Sequence, residues 1–336
     1  MKAIVFKQPA LPIEHPESLF EMDLPKPTPG ARDLLVEVKA IAVNPVDTKV
    51  RARSGSAGQP QVLGWDTVGV VREVGEGVSL FQPGDEVFYA GAIDRPGSYS
   101  EFHLVDERIV GHKPRTLDNA SAVALPLTSI TAWELLFDRL GIEENGGQGK
   151  SLLVIGAGGG VGSILVQLAR KLTGLTVIGT ASRPETQQWV TELGAHHVVD
   201  HSTALAPQLD ALGQGSVDYV ISLTHTETYA SQIIEVLRPQ GKLALIDDPA
   251  QLDVVPFKRK SLSVHWELMF TRSLYHTEDM IKQHELLDRI ASLVDTGVIK
   301  TTLGEHFGAI SAANLKRAHA VIESGKAKGK IVLEGF

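Results

Sequence analysis

The chain has 336 residues, 43% apolar and 21% charged, with no cysteine and a net charge of −8. At roughly 100–200 residues per domain, two domains are expected, and cores of that size need neither disulfides nor metal. The missing cysteine excludes a disulfide framework, a thiolate nucleophile and every cysteine-ligated zinc site. It also fits a reducing, cytoplasmic setting. An acidic chain repels nucleic acid backbones, so no nucleic acid partner is expected. The basic cluster Lys258-Arg259-Lys260 reads as a solvated loop. No run approaches ~18 uninterrupted apolar residues, so no membrane span is expected. The opening Met1–Phe6 reads as a strand with no signal-type apolar region after it.

The first 125 or so residues carry short strand signals. Leu34–Ala42 alternates as a half-buried strand does. Val68–Val74 follows, then the turn Pro83-Gly84-Asp85, then strands at Glu86–Ala90 and Ser98–Val105. Such spacing suggests a small, strongly bent barrel. Between Ala42 and Val68, the segment Arg51–Gln61 reads as a mobile rim loop, with Arg51 and Arg53 placed to meet a polar or acidic substrate. From Ser151 the pattern becomes one of apolar strands and amphipathic helices. Strands are expected at Ser151–Ile155, Thr176–Thr180, Val198–Asp200, Val217–Ser222 and Lys242–Ile246, with helices such as Val161–Leu172 and Pro184–Leu193 between them. That alternation implies a doubly wound parallel sheet. Helices at Glu278–Asp295 and Ala312–Glu323 and a strand at Ile331–Leu333 close the chain. The economical arrangement inserts residues 126–264 into a barrel domain made of residues 1–125 and 265–336. The cleft between the two is the default site.

The run Gly156-Ala157-Gly158-Gly159-Gly160-Val161-Gly162 lies between the strand Ser151–Ile155 and a helix. Strand, glycine turn and helix in that order are what a dinucleotide fingerprint needs. A turn without Cβ atoms lets backbone approach a pyrophosphate, and the helix start offers unpaired N–H groups. The strict G-x-G-x-x-G spacing fails from Gly156, because Val161 stands where the last glycine should be. A relaxed form, Ala157-x-Gly159-x-x-Gly162, is met. The next strand ends Thr180-Ala181-Ser182-Arg183, without the carboxylate that takes an NAD ribose hydroxyl. Ser182 and Arg183 can instead donate to a 2′-phosphate, so NADPH is the expected cofactor. The alternative for Arg183 is a surface residue before Pro184.

Several segments, in order, resemble the medium-chain dehydrogenase/reductase superfamily, and within it the quinone oxidoreductases and zinc-type alcohol dehydrogenase-like proteins. They are Asn44-Pro45-Val46-Asp47-Thr48-Lys49, Leu63-Gly64-Trp65-Asp66-Thr67-Val68-Gly69, Gly84-Asp85-Glu86-Val87, Leu125-Pro126-Leu127-Thr128-Ser129-Ile130-Thr131-Ala132 and Gly159-Gly160-Val161-Gly162. The resemblance covers nearly the whole chain. The fold it implies is α/β, a Rossmann doubly wound parallel sheet inserted into a GroES-like β-barrel domain. Zinc-dependent relatives carry cysteine where this chain has Asn44 and a His-Glu pair where it has Trp65-Asp66. Of these positions only Asp66 keeps a ligand type, so no metal is expected. His284-Glu285 lacks the second histidine of a metalloprotease pattern, and His103, His112 and His265 read as surface or satisfied core residues.

Without zinc the chain has no Lewis acid to polarise a plain alcohol or ketone. Hydride transfer to quinones or α,β-unsaturated carbonyls remains feasible, because conjugation spreads the incoming charge. The resemblance implies Asn44 near the nicotinamide as an oxyanion donor; the alternative is an Asn starting a turn before Pro45. Asp47 and Lys49 lie on the same segment, Lys49 as a donor or, if desolvated, a proton source. Some quinone reductases carry tyrosine at that position, which leaves solvent as an alternative. Thr128 resembles the residue whose hydroxyl touches the nicotinamide, and also reads as a helix N-cap. Lys330 resembles a basic residue that reaches the 2′-phosphate, and equally a solvated lysine. Asp66 reads as one half of a structural ion pair. The cofactor-binding set is then Thr128, Gly158, Gly159, Gly160, Val161, Gly162, Ser182, Arg183 and Lys330. The resemblance also implies a homodimer through the sheet edge around Leu262–Leu268.

Overall fold

The computed structural model describes residues 1–53 and 58–336. The chain divides into two compact units, one of Met1–Ile130 with Phe270–Phe336 and one of Thr131–Met269.

In the first unit a bent sheet is built around the long strand Asp33–Val43, whose side chains are almost all buried. It pairs antiparallel with Asp66–Val74, with Phe102–Asp106 and with Lys330–Glu334 near the C-terminus. Two register shifts against Asp66–Val74, at Leu35/Val36 and Val38/Ala40, each add a residue on one side. Bulges of that kind bend a strand and raise its twist, which is how one strand serves three neighbours. Glu86–Ala90 and Val110–His112 extend the sheet on one side and Leu303–His306 on the other. A separate small sheet joins Lys2–Phe6 to Phe20–Asp23 and Gln61–Val62.

In the second unit six strands are all parallel. Their spatial order is His197–Val199, Thr176–Thr180, Ser151–Ile155, Val217–Ser222, Leu237–Leu245 and Ser263–Trp266. In sequence order this is 3-2-1-4-5-6, so the direction of winding reverses between Ser151–Ile155 and Val217–Ser222. Both of those strands are buried along their whole length, as strands covered by helices on both faces must be. Leu153, Ile178, Val220, Ile233 and Leu243 belong to one continuous core cluster.

The sequence reading differs from this structure at definite places. The segment read as a loop from Arg51 begins inside a helix, Pro45–Arg53, and residues 54–57 of that segment lie outside the described residues. Arg51 does not face a substrate: it is 4% exposed, and its guanidinium donates to Leu11 O at 2.6 Å and pairs with Glu323 at 2.5 Å. Arg53 is exposed at the helix end. The strand read from Ser98 starts at Phe102. Ser98 and Tyr99 instead donate their N–H groups to Gly64 and Leu63, and Tyr99 O accepts from Ile4. The edge strand Ser263–Trp266 falls within the sheet edge that the resemblance implies around Leu262–Leu268, but gives no strand signal of its own, because it is short and no residue of it is fully buried. The helix read from Glu278 starts at Lys282, because Asp279 holds a turn through Thr277 and Arg272. Lys260 is not a solvated loop residue. Its ammonium donates to Ile234 O, Glu235 O and Leu237 O at 2.7–2.8 Å, capping the helix Thr226–Val236. Lastly, Asn119–Arg139 is long and apolar enough to cross a membrane, yet 83% of its apolar window is buried inside the protein.

Candidate functional site

The glycine turn belongs to the second unit, at the carboxyl end of Ser151–Ile155. Its glycines meet different demands. Gly156 has φ +84°, a left-handed conformation that a side chain resists. At Gly162 a Cβ would lie 2.5 Å from the Ala157 backbone, so the missing side chain lets the helix Gly160–Leu172 lie close on the turn that precedes it. Gly159 caps this helix, and no acidic residue stands in its first turn. Its first N–H groups have no carbonyl one turn before them. They form, with the positive end of the helix dipole, a place for a phosphate. Gly158, Gly159, Gly160 and Val161 lie along this path. The hydroxyl of Thr180, which the sequence reading missed, accepts from the Gly156 N–H at 3.1 Å and so fastens the turn to the next strand.

Beyond Thr180 come Ser182 and Arg183, both half-buried. Arg183 pairs with Glu185 at 3.3 Å. The guanidinium side chain is 40% exposed, so the pair is screened and weakly held. No carboxylate ends the strand Thr176–Thr180. The residues present therefore fit a dinucleotide with a 2′-phosphate: a backbone cradle for the pyrophosphate, then a hydroxyl and a guanidinium further along.

The first unit holds a second cluster of predicted residues, and here the structure redistributes their roles. Asn44 is 1% exposed. Its amide donates to Asp66 Oδ2 at 2.8 Å and faces Ala42 O at 3.4 Å, and its Oδ1 accepts from the Lys330 ammonium. The carboxamide is thus engaged on both sides inside the protein and does not stand open as an oxyanion donor. Asp47 is 0% exposed, and its Oδ2 reaches back to the Asn44 N–H at 2.8 Å. With Pro45 at the first helical position, Asp47 supplies one half of a capping box for Pro45–Arg53, while the Asn44 side-chain oxygen goes to Lys330 instead. Burial pushes the Asp47 carboxyl up to about 7, against the pull of the Asn44 N–H, Lys330 and Tyr99. Lys49 is half-buried on the same helix.

Lys330 also departs from both of its sequence readings. It is 3% exposed, so it is not a solvated lysine. Its ammonium meets Asp66 Oδ2 at 2.8 Å, Val43 O at 3.2 Å and Asn44 Oδ1. Those bonds hold it within the first unit, and the 2′-phosphate role gains no support from them. The other oxygen of Asp66 accepts from the Leu127 N–H at 2.7 Å, so Asp66, not Thr128, caps the helix Pro126–Trp133. Thr128 donates its hydroxyl to Leu125 O at 3.1 Å. Its oxygen keeps lone pairs that can accept.

The residues at this cluster do not fit a zinc ion. Asp66 spends its oxygens on an ammonium, an amide and a backbone N–H, and its neighbours Asn44 and Lys330 supply no thiolate or imidazole. Among the described residues no group of three or more His, Asp or Glu is placed to hold a metal. His103 is a satisfied core residue between Tyr89 Oη and Pro96 O, both at 3.0 Å. His112 pairs with Asp288, and His265 meets Ser263.

The buried pair yields a direct expectation. Removing one partner leaves an uncompensated buried charge, at a cost of about 3–5 kcal/mol. Lys330→Met should lower the unfolding free energy by that amount in urea titrations, and Lys330→Met with Asp66→Asn should recover part of it. A loss below about 1 kcal/mol for the single variant would show the pair to be dispensable.

Comparisons with known proteins agree with this architecture. A model of the alcohol dehydrogenase GroES-like domain matches residues 30–115, and a model of zinc-binding dehydrogenases matches residues 193–333. The zinc-type alcohol dehydrogenase-like protein SAR2277 of Staphylococcus aureus (strain MRSA252) is 40% identical over 336 residues, 99% of each chain. A solved structure from Rhizobium etli CFN 42, described as a candidate zinc-dependent alcohol dehydrogenase, is 56% identical. It covers 100% of this chain and 98% of its own, with a TM-score of 0.96. The quinone oxidoreductase of Coxiella burnetii is 27% identical, covering 100% and 99%, with a TM-score of 0.82. The chain belongs to the medium-chain dehydrogenase/reductase superfamily of oxidoreductases, in its quinone oxidoreductase-like branch.

Proposed function

We propose that the protein is an NADPH-dependent, zinc-free reductase that passes hydride to a small quinone or α,β-unsaturated carbonyl. The observation that carries this reading is the bonding at Asp66. Where zinc-dependent members of the superfamily hold a Lewis acid, this chain has a carboxylate saturated by Lys330, Asn44 and the Leu127 N–H. An acceptor that is already electron-poor needs no such metal.

A nicotinamide cofactor is supported at the level of the superfamily, and NADPH, when bound, supplies the hydride. The chain binds and orients. The N–H groups at Gly160, Val161 and Gly162 receive the pyrophosphate, with Gly158 and Gly159 giving it room. Ser182 and Arg183 donate to the 2′-phosphate. Thr128, its proton spent on Leu125 O, would be left to accept from the nicotinamide carboxamide. Of Asn44, Asp47 and Lys49, the first two are buried and Lys49 is half-buried, and Lys49 stands with solvent as the proton source. That two of the three are sealed favours one second reading, a protein that binds NADPH without turnover. The setting we assign is cytoplasmic.

With the protein stripped of metal by a chelator, NADPH should still raise the melting temperature, by preferential binding to the folded state. A panel of quinones and enals should then consume NADPH. Stabilisation without consumption by any acceptor would replace the enzyme with the binding protein, and activity lost and restored with stoichiometric zinc would overturn the zinc-free reading.

Arg183→Ala removes a charged hydrogen bond worth about 1.5–3 kcal/mol. It should weaken NADPH by about tenfold or more and NADH little. Equal losses would sink the 2′-phosphate assignment.

The second copy implied for a homodimer has a fitting surface. Ser263–Trp266 ends the parallel sheet with an unpaired edge, and Trp266 (53% exposed), Leu268 (50%) and Val255 (72%) stand near it in sequence. Exposed edges and apolar side chains of this kind invite pairing. Sedimentation should show a dimer that Trp266→Asp shifts to monomer. A monomeric wild type would end the proposal.

A further inference from the structure

Three buried side chains in the first unit carry polar atoms that the reduction does not use. Asp47, Tyr99 and His319 are each 0% exposed. Tyr99 Oη stands 2.9 Å from Asp47 Oδ2 and 3.3 Å from His319 Nε2. A phenol has one proton, so Tyr99 can donate to only one of these neighbours at a time. The outer atoms of the row, Asp47 Oδ1 and His319 Nδ1, are both buried without a partner. Orphaned buried atoms are rare and call for an explanation.

We propose that Asp47, Tyr99 and His319 form an internal proton-binding site, a store whose hydrogen bonds reverse direction when it takes up one proton. In the empty state Asp47 is a carboxylate. Tyr99 donates to Asp47 Oδ2, and His319 donates its Nε2–H to the Tyr99 oxygen, leaving Nδ1 bare. A proton entering at Nδ1 forms an Nδ1–H bond. The Nε2 proton passes to the Tyr99 oxygen as the Tyr99 proton passes to Asp47. In the filled state the Asp47 carboxyl donates to Tyr99, and Tyr99 donates to His319 Nε2. Exactly one proton has been gained, it resides on Asp47, and the imidazole is neutral in both states with its hydrogen on the other nitrogen.

The surroundings are those such a store requires. Burial pushes His319 down to about 3, with Arg51 acting in the same direction, so the ring stays neutral near pH 7. Burial and the Asp47 charge raise Tyr99 well above its ordinary value, so the phenol relays without ionising. Only Asp47, pushed up to about 7 by burial, changes its proton count in that range. The charged groups facing the row balance one another. Lys330 favours the Asp47 carboxylate and Asp66 opposes it, and Arg51 beside His319 is paired with Glu323. Reduction of a conjugated acceptor consumes one proton with each hydride. A store in the same unit would supply that need, although the store stands whether or not that reading of the function does.

The test is spectroscopic and independent of turnover. In the intact protein labelled with nitrogen-15 at histidine, the His319 ring signals, assigned with His319→Gln, are followed from about pH 6 to about pH 8. They should move from the Nδ1–H tautomer to the Nε2–H tautomer with a midpoint near the Asp47 value of about 7. Asp47→Asn should hold one tautomer at every pH, and Tyr99→Phe should uncouple the ring from Asp47. A single tautomer across the wild-type titration would overturn the proposal. So would an imidazolium within that range, or a transition unchanged in Asp47→Asn. Should either variant fail to fold, the wild-type titration decides by itself.

Discussion

The ion pair between Lys330 and Asp66 organises the first unit. Two opposite charges at 2.8 Å, each almost fully buried, cannot be left half-made, because removing either strands the other in a medium that solvates it poorly. The pair therefore fixes whatever is bonded to it. Lys330 lies on the last strand and takes Val43 O and Asn44 Oδ1. Asp66 opens the strand Asp66–Val74 and takes the Leu127 N–H. Four segments far apart in the chain are thus held to one point. A buried cation and carboxylate thus act as the organising contact of this unit.

That arrangement explains which parts of the molecule are legible from the amino-acid order. The glycine turn is legible because strand, turn and helix fall within 151–172, and each reports its own requirement locally. The parallel sheet is legible for the same reason: buried strands read as apolar runs and the helices between them as periodic ones. The edge strand Ser263–Trp266 is reached only through family resemblance, since a four-residue strand without a buried face has neither signal. Asn44 and Asp47 are identified as important but given the wrong work. The partners that decide their roles, Asp66, Tyr99 and Lys330, lie 22, 52 and 286 residues away. Local pattern reports a turn before Pro45 at best, and only tertiary structure reports that an amide is spent.

Lys330 makes the same point in the opposite direction. A lysine flanked by lysine and glycine, Lys328-Gly329-Lys330, has the look of a solvated or phosphate-seeking residue. What buries it is the strand that follows, where Ile331, Val332 and Leu333 are each 0% exposed. Thr128 loses its helix-cap reading for a related reason. The apolar helix that carries it is capped by a carboxylate 61 residues earlier, so its hydroxyl is left to bond its own backbone.

Under the function proposed above, a reductase without a metal must obtain from its fold what the metal would have supplied: a fixed geometry for the acceptor and a route for the proton. The two clusters divide this work in a physically consistent way. The glycine turn is buried to half-buried and carries no acidic residue at its helix start. The Asn44–Asp66–Lys330 network is closed, fully bonded and rigid. A rigid polar core costs desolvation, and that cost is offset only if every member is satisfied. Asn44, Asp66 and Lys330 all are. Outside that network, Asp47 Oδ1 and His319 Nδ1, two of the buried polar atoms without a partner, sit at the two ends of one row joined by a phenol. Unmet hydrogen-bonding capacity at both ends of a continuous row is the condition under which a proton can enter at one end and settle at the other without any heavy atom moving far.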